Sequence, residues 1–124
     1  LPELLQKVAE NPNYNTMVHI IIKNELPVGK FISNVRSGHL FSIVNEAMAN
    51  TVRHAHAQNV TIDTHDLGEF LQIRIRDDGQ GFPPEVKNGY GLRNMRDRAR
   101  LLNGKILFEN DKGLVVTLEI PWKD

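Results

Sequence analysis

The spacing of apolar positions changes several times along this chain, and each change predicts an element. From Leu40 to Ala57 the residues Leu40, Ile43, Val44, Ala47, Met48 and Val52 recur close to every 3.6 positions, which predicts a long helix with one buried stripe. Ser37 stands just before it as a candidate cap. From Phe70 to Arg76, Leu71, Ile73 and Ile75 alternate with Gln72, Arg74 and Arg76, the pattern of a strand buried on one face and wet on the other. Met17 to Lys23 and Asn59 to His65 also read as strands, and Asp66-Leu-Gly-Glu69 joins the second of these to Phe70. Ile106 to Glu109 and Leu114 to Ile120 form a closing hairpin around Asn110-Asp-Lys-Gly113. Pro2 to Glu10 predicts a short helix that stops at Asn11-Pro12. Asn24 to Gly38, holding Pro27, Gly29 and Gly38, reads as a loop with a brief extended piece. Leu92 to Leu102 is a second amphipathic helix, with Arg93, Arg96, Arg98 and Arg100 around it and Gly104 as its stop. Strands that neighbour in sequence as hairpins, mixed with helices, favour an α+β fold: a two-layer sandwich of helices on a mixed, mostly antiparallel sheet.

Composition narrows the function classes. At 124 residues the chain suits one domain with a real core. Its 15 basic and 15 acidic residues cancel, so nothing suggests a nucleic-acid or membrane surface, and phosphate binding must come from a local site. Cysteine is absent, which removes disulfides and thiolate metal sites. No apolar run approaches the ~20 residues of a membrane span, and no signal-peptide pattern occurs. The chain opens on Leu1 rather than Met, which hints at a piece of something longer.

Three short stretches carry chemistry. On the long helix Glu46, Asn50 and His54 are four apart and line one face. A solvated face is the plain alternative, but Asn is a poor helix-interior residue because its amide competes with the backbone. One carboxamide oxygen beside a triphosphate suits Mg²⁺, which prefers oxygen ligands and keeps its waters. Glu46 could order water in the metal shell or accept a proton, while Arg53 and His54 could donate to phosphate. Asp77-Asp-Gly79-Gln-Gly81 ends a strand in a glycine turn; its carboxylate could accept from the exocyclic amine of adenine. Asp-Gly is equally a common turn dipeptide. Pro83-Pro84 prevents a helix from following at once, so this is not a Rossmann turn, and no P-loop occurs. Gly89-Tyr-Gly91 before the second helix frees backbone N–H groups for an anion, or serves only as a hinge. His19, His39, His56 and His65 fit no zinc spacing and read as structural or surface residues. Asn50 facing a metal and Asp77 facing a base together outline a pocket for a magnesium-bound nucleotide.

The order of these stretches resembles the Bergerat-type ATP-binding fold of gyrase, the MutL repair proteins and histidine kinases. Within it the chain most resembles the catalytic ATP-binding domain of sensor histidine kinases of the nitrate-sensor and DesK-like group. Ile43 to Ala57 (IVNEAMANTVRHAHA) is similar to that group's N box, RDDGQGF to its first glycine box, and GYGLRNMRDRARLLNG to its second. The resemblance implies that Asn50 binds Mg²⁺, that Asp77 holds the adenine amine with Gly79 and Gly81 beside the base, and that Gly89, Gly91 and Leu92 flank the phosphates. Arg53 and His54 match basic phosphate-contacting positions, and Glu46 sits where ATP-hydrolysing relatives place their general base. Residues 82–88 would be a short lid. One departure stands out: such kinases usually read Gly-Thr-x-Val in the last hairpin, with the threonine supporting the adenine site, and this chain has Gly113-Leu114-Val115-Val116. That implies weaker binding or support by water.

The resemblance further implies a domain plan and partners. Residues 1–15 would be the end of an interdomain linker helix and 16–124 the catalytic ATP-binding domain. The domain would take ATP and Mg²⁺ and pass the γ-phosphoryl group to a histidine on a separate dimerisation domain of a homodimeric parent, and thence to a response regulator. It would be cytoplasmic, with no nucleic acid and no direct membrane contact. Alternatives are an anti-sigma-type serine kinase, a nucleotide-gated ATPase, or a degenerate domain that only docks partners.

Overall fold

The structure, a computed structural model, describes residues 2–27, 29–55, 57–80, 91–110 and 112–123. In chain order the elements are α1 (Pro2–Glu10), α2 (Pro12–Asn15), β1 (His19–Asn24), α3 (Asn34–Asn50), a π-helical turn (Thr51–Ala55), β2 (Asn59–Asp66), β3 (Phe70–Asp77), α4 (Leu92–Leu101), β4 (Lys105–Asn110) and β5 (Leu114–Pro121). The five strands form one sheet in the order β1-β2-β3-β5-β4. Only β1 and β2 run parallel, with α3 in the crossover between them; the other neighbours are antiparallel.

The period-two alternation of β3 is realised directly. Leu71, Ile73 and Ile75 are buried, while Gln72, Arg74 and Arg76 lie on the other face. The buried face meets Leu40, Ile43, Val44 and Ala47 of α3 and Met95 and Ala99 of α4 in one core. This is the expected α+β sandwich, a mostly antiparallel sheet under a layer of helices. Leu5 and Val8 of α1 are nearly inaccessible and join that core. Among the described residues no helix is long and apolar enough to cross a membrane.

Several local expectations are corrected. The loop read over Asn24 to Gly38 yields to helix from Asn34, six residues before Leu40. The cap is Ser33, whose side chain accepts from Arg36 N–H at 3.4 Å; Ser37 lies inside the first turns, its N–H donating to Ser33 O. Polar Asn34-Val-Arg-Ser-Gly38 hides this helical start because its anchor is a buried arginine. Arg36, 7% exposed, donates to the carbonyls of Trp122 (3.0 Å), Pro121 (2.6 Å) and Leu102 (3.3 Å), tying α3 to the end of α4 and of β5. At the other end α-geometry stops at Asn50 and widens into the π turn. The helix α2 was not foreseen; Asn11 caps it by accepting from Asn13 N–H at 2.9 Å, with Pro12 in its first turn. Finally, the left-handed residue that ends α4 is Asn103 (φ 55), while Gly104 contributes its N–H to Ala99 O.

The topology gathers one end of the sandwich. Val60 pairs with Asp77 and Arg76 with Val115, so the start of β2, the end of β3 and the start of β5 lie side by side. The end of α3 leads into β2 there, and α4 begins there.

Candidate functional site

At that end the last residue of α3 is Asn50. It is 0% exposed, and among the described residues neither its Nδ2 nor its Oδ1 has a hydrogen-bond partner. Buried carboxamides are nearly always satisfied, and an orphaned one costs about 1–3 kcal/mol. An unpaired acceptor and donor held in place by packing are therefore free to engage something that binds.

Thr51, the next residue, reaches Asp77. Its Oγ1 donates to Asp77 Oδ2 at 3.1 Å, and both residues are buried, at 2% and 8% exposure. Asp77 Oδ1 accepts from the N–H groups of Gly79 (2.9 Å) and Leu114 (3.1 Å). The two carboxylates of the Asp77-Asp78 pair thus separate. Asp77 points into the helix–sheet junction. Asp78 is exposed and accepts from the N–H groups of Gln58 and Asn59 and from Asn59 Nδ2, fastening the start of β2 to the end of β3. Gly113 (φ 133) closes the corner, because a Cβ there would run into the Asp77 carbonyl oxygen.

The second helix approaches from the other side. Gly91 (φ 79) stands at the N-terminus of α4 with no side-chain cap, and a Cβ on it would collide with the Glu46 carboxylate. Glu46 is thereby seated at the positive end of α4, a favourable place for a carboxylate. Arg53 Nη2 lies 3.9 Å from Glu46 Oε1, and its Nε donates back to Ala49 O. Tyr14 of α2 completes this corner: its hydroxyl donates to Asn45 Oδ1 at 2.7 Å. Burial raises the Tyr14 pKa, the Glu46 charge raises it further, and Arg53 partly offsets both.

Of the residues expected at a nucleotide site, the structure brings Glu46, Arg53 and Gly91 together at the start of α4 and Asp77 together with Gly79, with Asn50 ending α3 one residue before the Thr51 that meets Asp77. The side chain of Leu92 is buried in the core, so what it can offer is the N–H at the first turn of α4. The backbone of His54 lies in the π turn. Gly81, Gly89 and the lid of 82–88 fall outside the described residues, as does the side chain of His54. Two participants went unread in the sequence, Thr51 and Tyr14. Thr51 had a signal: four residues past Ala47, it continues the buried stripe with a hydroxyl. Tyr14 had none, since its contacts cross 31 residues.

No three His, Asp or Glu side chains gather as a metal ligand set among the described residues. Two of the remaining histidines have side-chain partners: His39 Nδ1 meets Arg98 Nη1 at 3.1 Å, and His65 pairs with Glu25 at 3.2 Å. His19 is exposed on β1, and His56 lies outside the described residues. A cleft of about 580 Å³ opens at the opposite end of the sheet, lined by Lys30, Phe31, Gly68, Glu69, Pro121 and Trp122. Lys123 also lines it, and the other lysine is already engaged: Lys30 Nζ bonds both oxygens of Asp66 and the Gly68 carbonyl.

Comparison with known proteins bears on the fold and the family. A family profile described as "Histidine kinase-, DNA gyrase B-, and HSP90-like ATPase" matches residues 36–124. The sensor protein VraS of Staphylococcus saprophyticus is 41% identical over 85 residues, which cover 67% of this chain and 23% of that protein. The chain thus spans less than a quarter of that relative's length. Among solved structures, the blue-light activated histidine kinase EL346 of Erythrobacter litoralis superposes with a TM-score of 0.80 at 21% identity, covering 95% of this chain and 40% of that one. The ATP binding domain of PrrB from Mycobacterium tuberculosis gives a TM-score of 0.76 at 24% identity, covering 96% and 91%. These two share the fold. The profile match, over more than half of the chain, decides the family: this chain belongs to the histidine kinase-, DNA gyrase B- and HSP90-like ATPases.

Proposed function

We propose that this domain binds Mg-ATP and presents the γ-phosphoryl group to a histidine on a dimerisation domain of its parent, a homodimeric two-component sensor kinase. The phosphate would pass on to an aspartate of a response regulator. The single observation that carries the reading is the buried, unpartnered carboxamide of Asn50, one residue from the Thr51–Asp77 contact.

The donor set fits the ligand. Asn50 Oδ1 would complete a magnesium coordination shell otherwise made of phosphate and water oxygens. Asp77, held as an acceptor, would receive the adenine amine, with Gly79 beside the ring. Arg53, His54 and the N–H groups that open α4 at Gly91 and Leu92 would meet the phosphates; Gly81 and Gly89 would border the same space. Bound magnesium supplies charge neutralisation at the transferring phosphoryl group. Glu46, next to Gly91, would orient a water of the metal shell; the acceptor histidine is activated from its own domain. Phosphoryl transfer asks mainly for positioning and charge, and this chain supplies both.

We further infer that α1 is the joint to a preceding domain and that the kinase domain works in the cytoplasm. The sequence similarity to a sensor protein supports the sensor-kinase reading over a serine kinase or a free-standing ATPase.

Titration calorimetry with Mg-ADP tests the site. Asn50→Ala and Asp77→Asn are each expected to abolish binding while the circular dichroism of the domain is kept; tight binding by both variants would refute the assignment. Radiolabelled ATP tests the chemistry, the expected product being acid-labile phosphohistidine on a separately added dimerisation-domain polypeptide.

A further inference from the structure

Among the described residues, Asp77 accepts three hydrogen bonds from three different parts of the chain. Two are backbone donors on Oδ1, from Gly79 and from Leu114. The third, on Oδ2, comes from a side chain, the Thr51 hydroxyl. Strand β5 offers only its main chain here, because Leu114 carries no polar atom beyond the backbone. A hydroxyl has one proton, and Thr51 directs it to Asp77. The Thr51 N–H is engaged separately, by the carbonyls of Ala47 and Met48 where α3 widens into the π turn. Rotation about the last bond of Asp77 moves both oxygens together, so the two donors on Oδ1 and the Thr51 hydroxyl on Oδ2 hold that torsion from both sides. Thr51 is the side chain among these three donors.

We propose that Thr51 is a positioning residue that aims Asp77 at the exocyclic amine of the base and sets the preference for adenine over a 6-oxopurine. This rests on the reading of Asp77 as the base-binding carboxylate and adds to it the group that orients that carboxylate. A carboxylate saturated by donors on its protein side faces the ligand purely as an acceptor. It binds an amine at the purine 6-position and repels a carbonyl there. Thr51 itself touches Asp77 and not the ligand. Its removal leaves the carboxylate held through Oδ1 alone, so the whole group turns more widely and the amine loses an aligned partner.

The test compares ADP with inosine diphosphate, which carries a 6-oxo group and with it an N1–H in place of the ring acceptor, by calorimetry on this chain in the presence of Mg²⁺. Wild type is expected to bind ADP more tightly than inosine diphosphate. Thr51→Val is expected to lose about tenfold in ADP affinity, the size of one hydrogen bond to a charged group, with inosine diphosphate affinity changed by less than about twofold. Thr51→Ser, which restores the hydroxyl, should stay within about threefold of wild type for ADP. A merely structural role would lower both affinities together and would appear as a lower unfolding midpoint of the nucleotide-free protein. An equal loss for the two nucleotides, or wild-type ADP affinity in Thr51→Val, overturns the proposal while leaving the site in place. Failure of the wild-type chain to bind ADP at all removes the adenine reading of Asp77, and this inference with it.

Discussion

At the scale of single residues, stability and function pull in opposite directions at Asn50. Its carboxamide is fully buried and unpaired, a state that destabilises the nucleotide-free domain. Asn50→Ala is therefore expected to raise the unfolding free energy of the nucleotide-free protein by about 1 kcal/mol in urea titrations, while Mg-ADP no longer shifts the midpoint. A destabilised nucleotide-free variant would mean that the amide is satisfied internally. The residue type was legible in the sequence, because an asparagine inside a helix asks for a reason. Its orphaned state was not, since that depends on every neighbour that fails to reach it. Asp77 and Asp78 repeat the lesson. Adjacent in sequence and alike in chemistry, they differ because strand alternation sends one into the junction and leaves the other to fasten Gln58 and Asn59.

Among the elements, α3 and α4 meet through Gly91, and the meeting leaves no room for a side chain. Its φ of 79° lies in the left-handed region, and a Cβ would occupy the place of the Glu46 carboxylate. Gly91→Ala is expected to cost about 1–2 kcal/mol from backbone conformation alone. Displacement of Glu46 adds to that, so the urea midpoint should fall and Mg-ADP affinity should fall with it. An unchanged midpoint would show that α4 can start elsewhere. The type of each long element followed from its spacing of apolar residues: three-to-four along α3 and α4, two along β3. The beginning of α3 did not. Its first turn is polar, and its helical state depends on Arg36 finding carbonyls 66 to 86 residues away. Window-based periodicity sees neither partner.

For the whole molecule, acid sensitivity follows from carboxylates that fasten distant segments. Hydrogen bonds from Lys30 hold the Asp66 carboxyl below its usual range, helped by Trp122 and the Gly68 N–H. The Asn59 backbone N–H and side chain do the same for Asp78. The folded domain therefore binds fewer protons than the unfolded chain near the carboxylate range. The stability these groups contribute is present at neutral pH and drains away as pH falls below about 4. Urea midpoints for wild type and Asp66→Asn should converge as pH falls below about 4, with the wild type ahead at pH 7. Parallel curves would remove Asp66 from the account. Asp66 sits at the far end of the sheet from Asn50, so nucleotide affinity of this variant at neutral pH is expected to match wild type.

Taken by itself, the order of apolar and polar residues determined the type of each long segment, that these form two layers, and which three stretches hold carboxylate, carboxamide and glycine chemistry. These are local properties: backbone geometry imposes a period, and burial of one face makes that period visible within a dozen residues. Only the tertiary structure decided that Thr51 orients Asp77 across 26 residues, that Glu46 sits at the mouth of α4, and that Asn50 is left without a partner. Those outcomes depend on which atoms the sheet order and the crossover of α3 bring to one end, and on sub-ångström fit there. A contact between residues far apart in sequence leaves no spacing along the chain by which it could be read.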